Sequence, residues 1–242
     1  MAQRPAGQID RSVNSLAELQ LSAETLDSIV GHIGRIGVQS LEGWHAAATT
    51  LVERDRVRTF GSTEERVNAI DQAQYDARSG PCVDALQGEI HYFDGSLIES
   101  SWDRFAEAAA EAGVHSVLSF PLKLDGEVLG ALNFYSNDRG ALRPGQRDDG
   151  LQFASHAAVA VGNASAFSAR GAQIEQLKEG LETRTMIGQA TGLLMAQEGL
   201  TSEEAFQKLV SVSQNSNIKL RDIAQRYVDT WEQDVTASTK RA

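Results

Sequence analysis

The sequence predicts an α+β chain: an antiparallel sheet flanked by helices, followed by an all-helical rear module. Three observations carry this. Two alternating segments, Val117–Leu124 and Glu127–Tyr135, meet at Asp125-Gly126, a dipeptide suited to a two-residue hairpin turn. The strand signals concentrate in the middle of the chain with helical patterns before and after, which suggests helices covering one side of the sheet. Toward the C-terminus the apolar spacing is helical only, and it begins with Ile174, Leu177 and Leu181 in the three-then-four rhythm of a coiled-coil seam.

Taken in order, Leu16–Val38 carries Leu19, Leu26, Ile29, Val30 and Ile33 at helical spacing. Trp44–Val52 and Arg56–Phe60 are strand candidates separated by the charged turn Glu53-Arg54-Asp55. In the hairpin, Leu118, Phe120, Leu122 and Leu124 alternate with Ser119, Pro121 and Lys123, while Val128, Leu132 and Phe134 share a face with Gly130. Pro121 has no N–H to donate, so one edge of its strand is expected to be unpaired or irregular there. Helix is expected from Pro144 onward, with Gly145, Gly150, Gly162 and Gly171 as weak points.

Past Met186 the apolar surface broadens: Met186, Ala190 and Leu193 form one stripe and Ile187, Ala190 and Leu194 its neighbour, the pattern of a helix with two partners. Gly199 ends it, and Thr201 with Glu204 three residues on forms a capping box for the next helix. The stripe expected to be buried on that helix is Ala205, Phe206, Leu209 and Val212. Gln214-Asn215-Ser216-Asn217 reads as a turn, and a last helix buries Leu220, Ile223, Ala224, Tyr227 and Trp231.

Charge is divided unevenly. The net over 242 residues is −11, which taken whole speaks against binding nucleic acid. From Met1 to Phe167, however, 13 Lys/Arg stand against 23 Asp/Glu, while from Ser168 onward 9 stand against 10. The acidity therefore belongs to the front module. Cys82 is alone, which excludes an intramolecular disulfide or a multi-cysteine metal site within one chain. Met1–Asp10 lacks the layout of a signal peptide. The longest uncharged stretch, Leu151–Ala169, is too polar for a bilayer span. A soluble, cytoplasmic protein is expected.

The run Thr183-Arg184-Thr185-Met186-Ile187-Gly188-Gln189-Ala190-Thr191-Gly192-Leu193-Leu194-Met195, then Ser202–Phe206 with Leu209, then Ser213-Gln214, Asn217 and Lys219–Ala224, resembles the ANTAR domain, the RNA-binding module of transcription antitermination regulators. The likeness spans about Glu182–Val228. It implies a three-helix bundle that binds stem-loops in nascent mRNA, where splayed loop bases are read at their edges and cations hold the phosphates. Carried over, Arg184, Thr191, Gln214, Asn217, Lys219 and Arg221 would face RNA, and the small Ala190 and Gly192 would permit close approach of a helix or of the RNA backbone. Thr191 departs from the family, where lysine is common. On residue pattern alone Thr201–Val228, two short helices joined by a tight turn, also fits a DNA-binding helix-turn-helix, though the long apolar helix before it fits the ANTAR bundle better.

The front module resembles a GAF domain, a small-molecule sensor fold. The likeness rests on Ser79-Gly80-Pro81-Cys82-Val83-Asp84-Ala85-Leu86, Phe120-Pro121-Leu122 and Gly126–Asn133, and it covers about Leu16–Phe167. Cys82 has two readings: a sensor thiol activated at a helix start, or a small buried core residue. Val83 stands where bilin-binding relatives commonly have histidine, and His32, His45, His91, His115 and His156 are scattered, so no cofactor is identified and the GAF ligand is unknown. No metal set, Walker loop, HExxH or Gly-x-Ser-x-Gly motif is present, and sulfoxide reductase chemistry on this fold recycles several cysteines, so no catalytic residues are assigned.

The expected organisation is a flexible 1–14, a GAF sensor over 15–167, a coiled-coil linker over 168–182, an ANTAR domain over 183–232 and a flexible tail over 233–242. The resemblances imply a homodimer, joined through Ile174, Leu177 and Leu181, that binds tandem stem-loops in mRNA leaders under control of the GAF domain. The alternative is a ligand-sensing interaction module whose C-terminal helices bind a protein partner. A membrane association is not expected.

Overall fold

The chain is described by a computed structural model covering residues 8–17, 25–53, 56–95 and 102–239. It divides into two compact units, Met1–Ala169 and Arg170–Ala242. The first is built on five strands: β1 (Ala46–Glu53), β2 (Arg56–Phe60), β3 (His91–Phe93), β4 (Ser116–Leu124) and β5 (Glu127–Ser136). They form one sheet in the order β2-β1-β5-β4-β3 with every pair antiparallel. Asp125 and Gly126 join β4 to β5 with φ of 51° and 86°, the left-handed pair that a tight hairpin requires. Pro121 lies just beyond Ser119, where the pairing of β3 with β4 stops, and the β4–β5 register shifts between Leu122 and Lys123.

Helices cover both faces of this sheet, not one. The first face buries Ala47, Leu51, Leu118, Phe120, Leu122, Leu132 and Phe134 beneath α2 (Leu26–Ser40) and the start of α6 (Gln146–Glu198). Leu16, on α1 (Gln8–Ala17), joins the same core. Leu19 and the turn at Arg54-Asp55 fall outside the described residues. The second face buries Ala46, Ala48, Val117 and Tyr135 against α3 (Arg66–Ala77) and α5 (Asp103–Glu111), and Ala131 against α4 (Pro81–Ala85). The alternating Ser119, Pro121 and Asn133 read as solvent-facing in the sequence, yet all three are buried on this second face.

α6 begins at Gln146, after Gly145 at φ 87°, and runs unbroken through Gly150, Gly162 and Gly171, the glycines expected to weaken it. Two of them are required for packing instead. A Cβ on Gly150 would stand 2.2 Å from Phe120 Cζ, and one on Gly162 would stand 2.3 Å from Leu124 Cδ2. The helix lies against the sheet so closely that only hydrogen fits between them.

In the second unit, α6 continues to Glu198 and is stopped by Gly199 at φ 68°. α7 (Ser202–Ser216) opens on the full capping box of Thr201 and Glu204. α8 (Leu220–Thr239) follows. Ala190, Leu194, Ala205, Leu209, Ala224 and Val228 form the core, with Met186, Ile187, Leu193, Leu220, Ile223 and Tyr227 partly buried around it. The broad stripe on α6 does serve two partner helices. Three expectations fail. Phe206, Val212 and Trp231 are substantially exposed: Phe206 lies one step off the buried stripe of its helix, while Val212 and Trp231 keep the stripe's spacing but lie beyond its last buried residues, Leu209 and Val228. Nor does the turn occupy 214–217: α7 continues through Ser216, and Asn217 alone takes the left-handed conformation at φ 53°.

The glycines give a direct test. Gly150→Ala is expected to destabilise the first unit by about 1–3 kcal/mol, since overpacking outweighs the gain in helix propensity. Gly180→Ala, where no atom lies within 4 Å of the new Cβ, is expected to stabilise its helix by up to ~1 kcal/mol. Denaturant unfolding of the two variants measures both.

Candidate sensor core and nucleic-acid interface

On the second face of the sheet, the small residues of β1 and β5 leave room for polar side chains from α3 and α4. Asp71 lies at the centre, fully buried. It follows Val67 and Ile70 at helical spacing and precedes Gln74, so it occupies the buried stripe of α3. The Tyr135 hydroxyl donates to one of its oxygens, and the Thr59 hydroxyl donates to the other at 2.9 Å. Gln74 Nε2 also donates to Asp71, at 3.3 Å, while Gln74 Oε1 accepts from the Cys82 N–H at 2.8 Å. Tyr75 Oη bonds Thr59 at 2.7 Å and Thr50 at 2.8 Å, and Asn133 Nδ2 donates to Thr50 at 3.2 Å. Ser119 Oγ and Asn133 Oδ1, on directly paired positions of β4 and β5, have no hydrogen-bond partner among the described residues.

Burial raises the Asp71 carboxyl from its ordinary 3.8 to about 6, and the hydrogen bonds from Tyr135 and Thr59 only partly offset this. The same burial, with the Asp71 charge nearby, pushes the Cys82 thiol well up. Of the two readings of Cys82, this geometry fits the small buried core residue. Cys82 is fully buried, its sulfur is 2.8 Å from Thr50 Oγ1, and α4 has only five residues to supply a dipole. It is a protonated core residue. No three His, Cys, Asp or Glu side chains converge as a metal site among the described residues.

In the second unit the residues carried over from the RNA-binding family divide by position. Ala190 is fully buried in the three-helix core, so RNA cannot reach it, and its smallness serves helix packing. Thr191 is 8 % exposed and its hydroxyl donates to the Ile187 carbonyl at 2.7 Å, which turns it inward along its own helix. Gly192 is exposed. Asn217 is the left-handed cap of α7, with its N–H donated to Gln214 O, so its residue type already has a structural cause. Arg221 pairs with Asp222 at 3.3 Å and lines a groove beside Glu179, Glu182, Met186 and Gln189. The start of α8 is therefore level with the stretch of α6 around Arg184. Arg184 and Lys219 carry no ion pair among the described residues. Gln214 is exposed near the end of α7.

Arg184 also lines a second groove, between α6 and α7, of about 460 Å³. Phe206 and Met195 line it too, and sequence reasoning missed both because helical spacing alone placed Phe206 in the core. Asp71 was missed as well, although a carboxylate on the buried stripe of α3 was its visible signal. Ile174, Leu177 and Leu181 are 55 %, 62 % and 64 % exposed, an apolar row left uncovered among the described residues.

Asp71 sets a pH dependence with a definite sign. With its native value raised, the neutral carboxyl's contribution is full below about pH 4 and is lost as pH rises through about 6, a cost of about 3 kcal/mol at neutral pH. Asp71→Asn is expected to flatten that dependence and leave the first unit at least as stable at pH 8. Thermal unfolding between pH 4 and 8 reads this.

Residues 23–162 match the GAF domain family model, and residues 175–228 match that of the ANTAR domain. Nothing matches among curated proteins. The fold of the first unit is found in solved structures at low identity. The free methionine-R-sulfoxide reductase from Neisseria meningitidis, in complex with its substrate, is 13 % identical with a TM-score of 0.52, over 69 % of this chain and 95 % of that one. The GAF domain of a phosphoenolpyruvate-protein phosphotransferase from Coxiella burnetii is 14 % identical with a TM-score of 0.52, over 69 % of this chain and 99 % of that one. GAF and ANTAR are regulatory domains, although one of these structural relatives is an enzyme. With the sheet, its covering helices and the family model agreeing over more than half its length, the chain belongs to the GAF domain family and carries an ANTAR domain behind its GAF domain.

Proposed function

We propose that this protein is a signal-responsive transcription antitermination regulator. Its ANTAR domain binds paired stem-loops in nascent mRNA leaders, in the cytoplasm, and its GAF domain controls that binding. The observation that carries the reading is the ordered pair of family matches, sensor then RNA-binding module. The cations add support: Arg184 and Lys219 are free for phosphates at one end of the bundle, while Arg221 is partly neutralised by Asp222. On this reading 15–167 is the sensor, 168–182 the linker and 183–232 the RNA-binding domain.

The exposed row of Ile174, Leu177 and Leu181 supports dimerisation through a coiled coil. Two bundles would then meet two neighbouring loops, and the second contact would gain from a high effective concentration. With a net charge of −1 from Ser168 onward, affinity rests on a few placed contacts and on the dimer, not on a general polyanion field. A small molecule in the GAF domain would be the signal. The chain acts as a regulator and not as an enzyme, in keeping with a lone cysteine whose thiol stays protonated.

Crosslinking the protein to cellular RNA and sequencing the recovered fragments tests the reading. Tandem hairpins upstream of coding regions are the expected result, and uniform recovery of all transcripts defeats it. With a recovered hairpin in hand, Arg184→Ala with Lys219→Ala is expected to weaken binding about tenfold or more and to reduce the salt slope by about one to two. Arg221→Ala should cost less. Replacing Ile174, Leu177 and Leu181 by alanine should yield a monomer by hydrodynamic mass and lower affinity for the paired site more than for a single hairpin. A monomeric unmodified protein would favour a protein partner on this row instead.

A further inference from the structure

The groove between α6 and α7 has features that the packing of the bundle does not require. Part of its floor is bare helix backbone, beside Ile187 and Thr191. Gly188 and Gly192 lie one turn apart on the same face of α6, and a Cβ added to either would meet nothing within 4 Å. One wall is Phe206, 37 % exposed, whose neighbours Ala205 and Leu209 supply the core contacts of α7. Met195, also 37 % exposed, flanks the floor. Arg184 is a further lining residue and carries no ion pair among the described residues. Glu203 lines the groove as well, where it accepts a hydrogen bond from Gln207 at 3.1 Å.

A flat floor, an aromatic wall and a free guanidinium describe a particular occupant. The space, about 460 Å³, lies in the range of small-ligand sites. A planar ring with an anion attached fits it: the ring stacks on the aromatic side chain and the anion meets the arginine. In a stem-loop, an unstacked loop base and its phosphate have this form.

Resting on the RNA-binding reading above, we propose that Phe206 is a base-stacking residue: one splayed loop base lies in the groove over Gly188 and Gly192 with its face against Phe206, and Arg184 holds the adjacent phosphate. Arg184 then links this groove to the cationic end of the bundle. Phe206 and the glycines at 188 and 192 select a base by its flat face, which is tolerant of base identity. Sequence preference would come from other contacts.

The test uses the full-length protein and a pool of RNA hairpins with randomised loops, from which binders of the unmodified protein are recovered. Against a recovered hairpin, Phe206→Leu is expected to lower affinity roughly five- to a hundredfold, because the apolar bulk remains but the flat face is lost. Phe206→Tyr should retain binding. Gly192→Leu, which adds bulk to the groove from a Cβ position with nothing within 4 Å, should lose binding to a similar degree. Unfolding midpoints of the three variants separate these effects from loss of fold. Unchanged affinity in Phe206→Leu and Gly192→Leu, with binding by the unmodified protein intact, overturns the stacking role while the RNA reading stands. Equal loss in Phe206→Tyr and Phe206→Leu also overturns it. Failure of the unmodified protein to retain any hairpin overturns both.

Discussion

β5 lies at the middle of the sheet, paired with β1 on one side and β4 on the other, and from Gly130 to Ser136 every residue of it is buried. A central strand closed on both faces obliges the chain to supply two helical layers, and the two layers differ in chemistry. On one face large apolar residues meet α2 and α6, and glycine at 150 and 162 lets α6 approach almost to contact with the backbone's own radius. On the other, alanine, threonine and asparagine leave space that α3 fills with a carboxylate, met by donors from Thr59 of β2, Tyr135 of β5 and Gln74 of α3 itself. The first face gives the unit its cohesion. The second gives it a polar interior.

That interior is costly by the ordinary rules of burial, since an unpaired charge is being held away from water. The donors around Asp71 are hydroxyls and an amide, and no cation joins them among the described residues. A network of this kind has few satisfied arrangements, so a change in one member propagates to Tyr135, Tyr75, Thr50 and Cys82. A sensor domain can use such a cluster because its hydrogen bonds are exchangeable in a way that packed methyl groups are not.

Much of this was legible in the sequence where local chemistry dictates local structure. Asp125-Gly126 fixes the hairpin, Arg56–Phe60 has its strand limits, and the Thr201–Glu204 box and Gly199 set helix ends. What was not legible depends on neighbours far along the chain. Ser119 and Asn133 look like the wet side of a strand until α3, α4 and α5 cover them. Gly150 looks like a helix breaker until Phe120 is found beneath it. Phe206 and Ala205 are adjacent in sequence, and periodicity tolerates either as the inward residue; the crossing of α6 and α7 chooses alanine. At the interface itself, residue types common to a family did not distinguish Ala190, which packs helices, from Arg184, which faces solvent.

The closed environment of Cys82 has a practical side. The protein's one thiol sits at zero exposure and stays protonated, so thiol reagents meet no reactive group on the native surface. A cysteine placed at any exposed site becomes the sole handle for a fluorophore or spin label without removal of the native residue. Distances between labels can therefore be measured in a chain whose core is untouched.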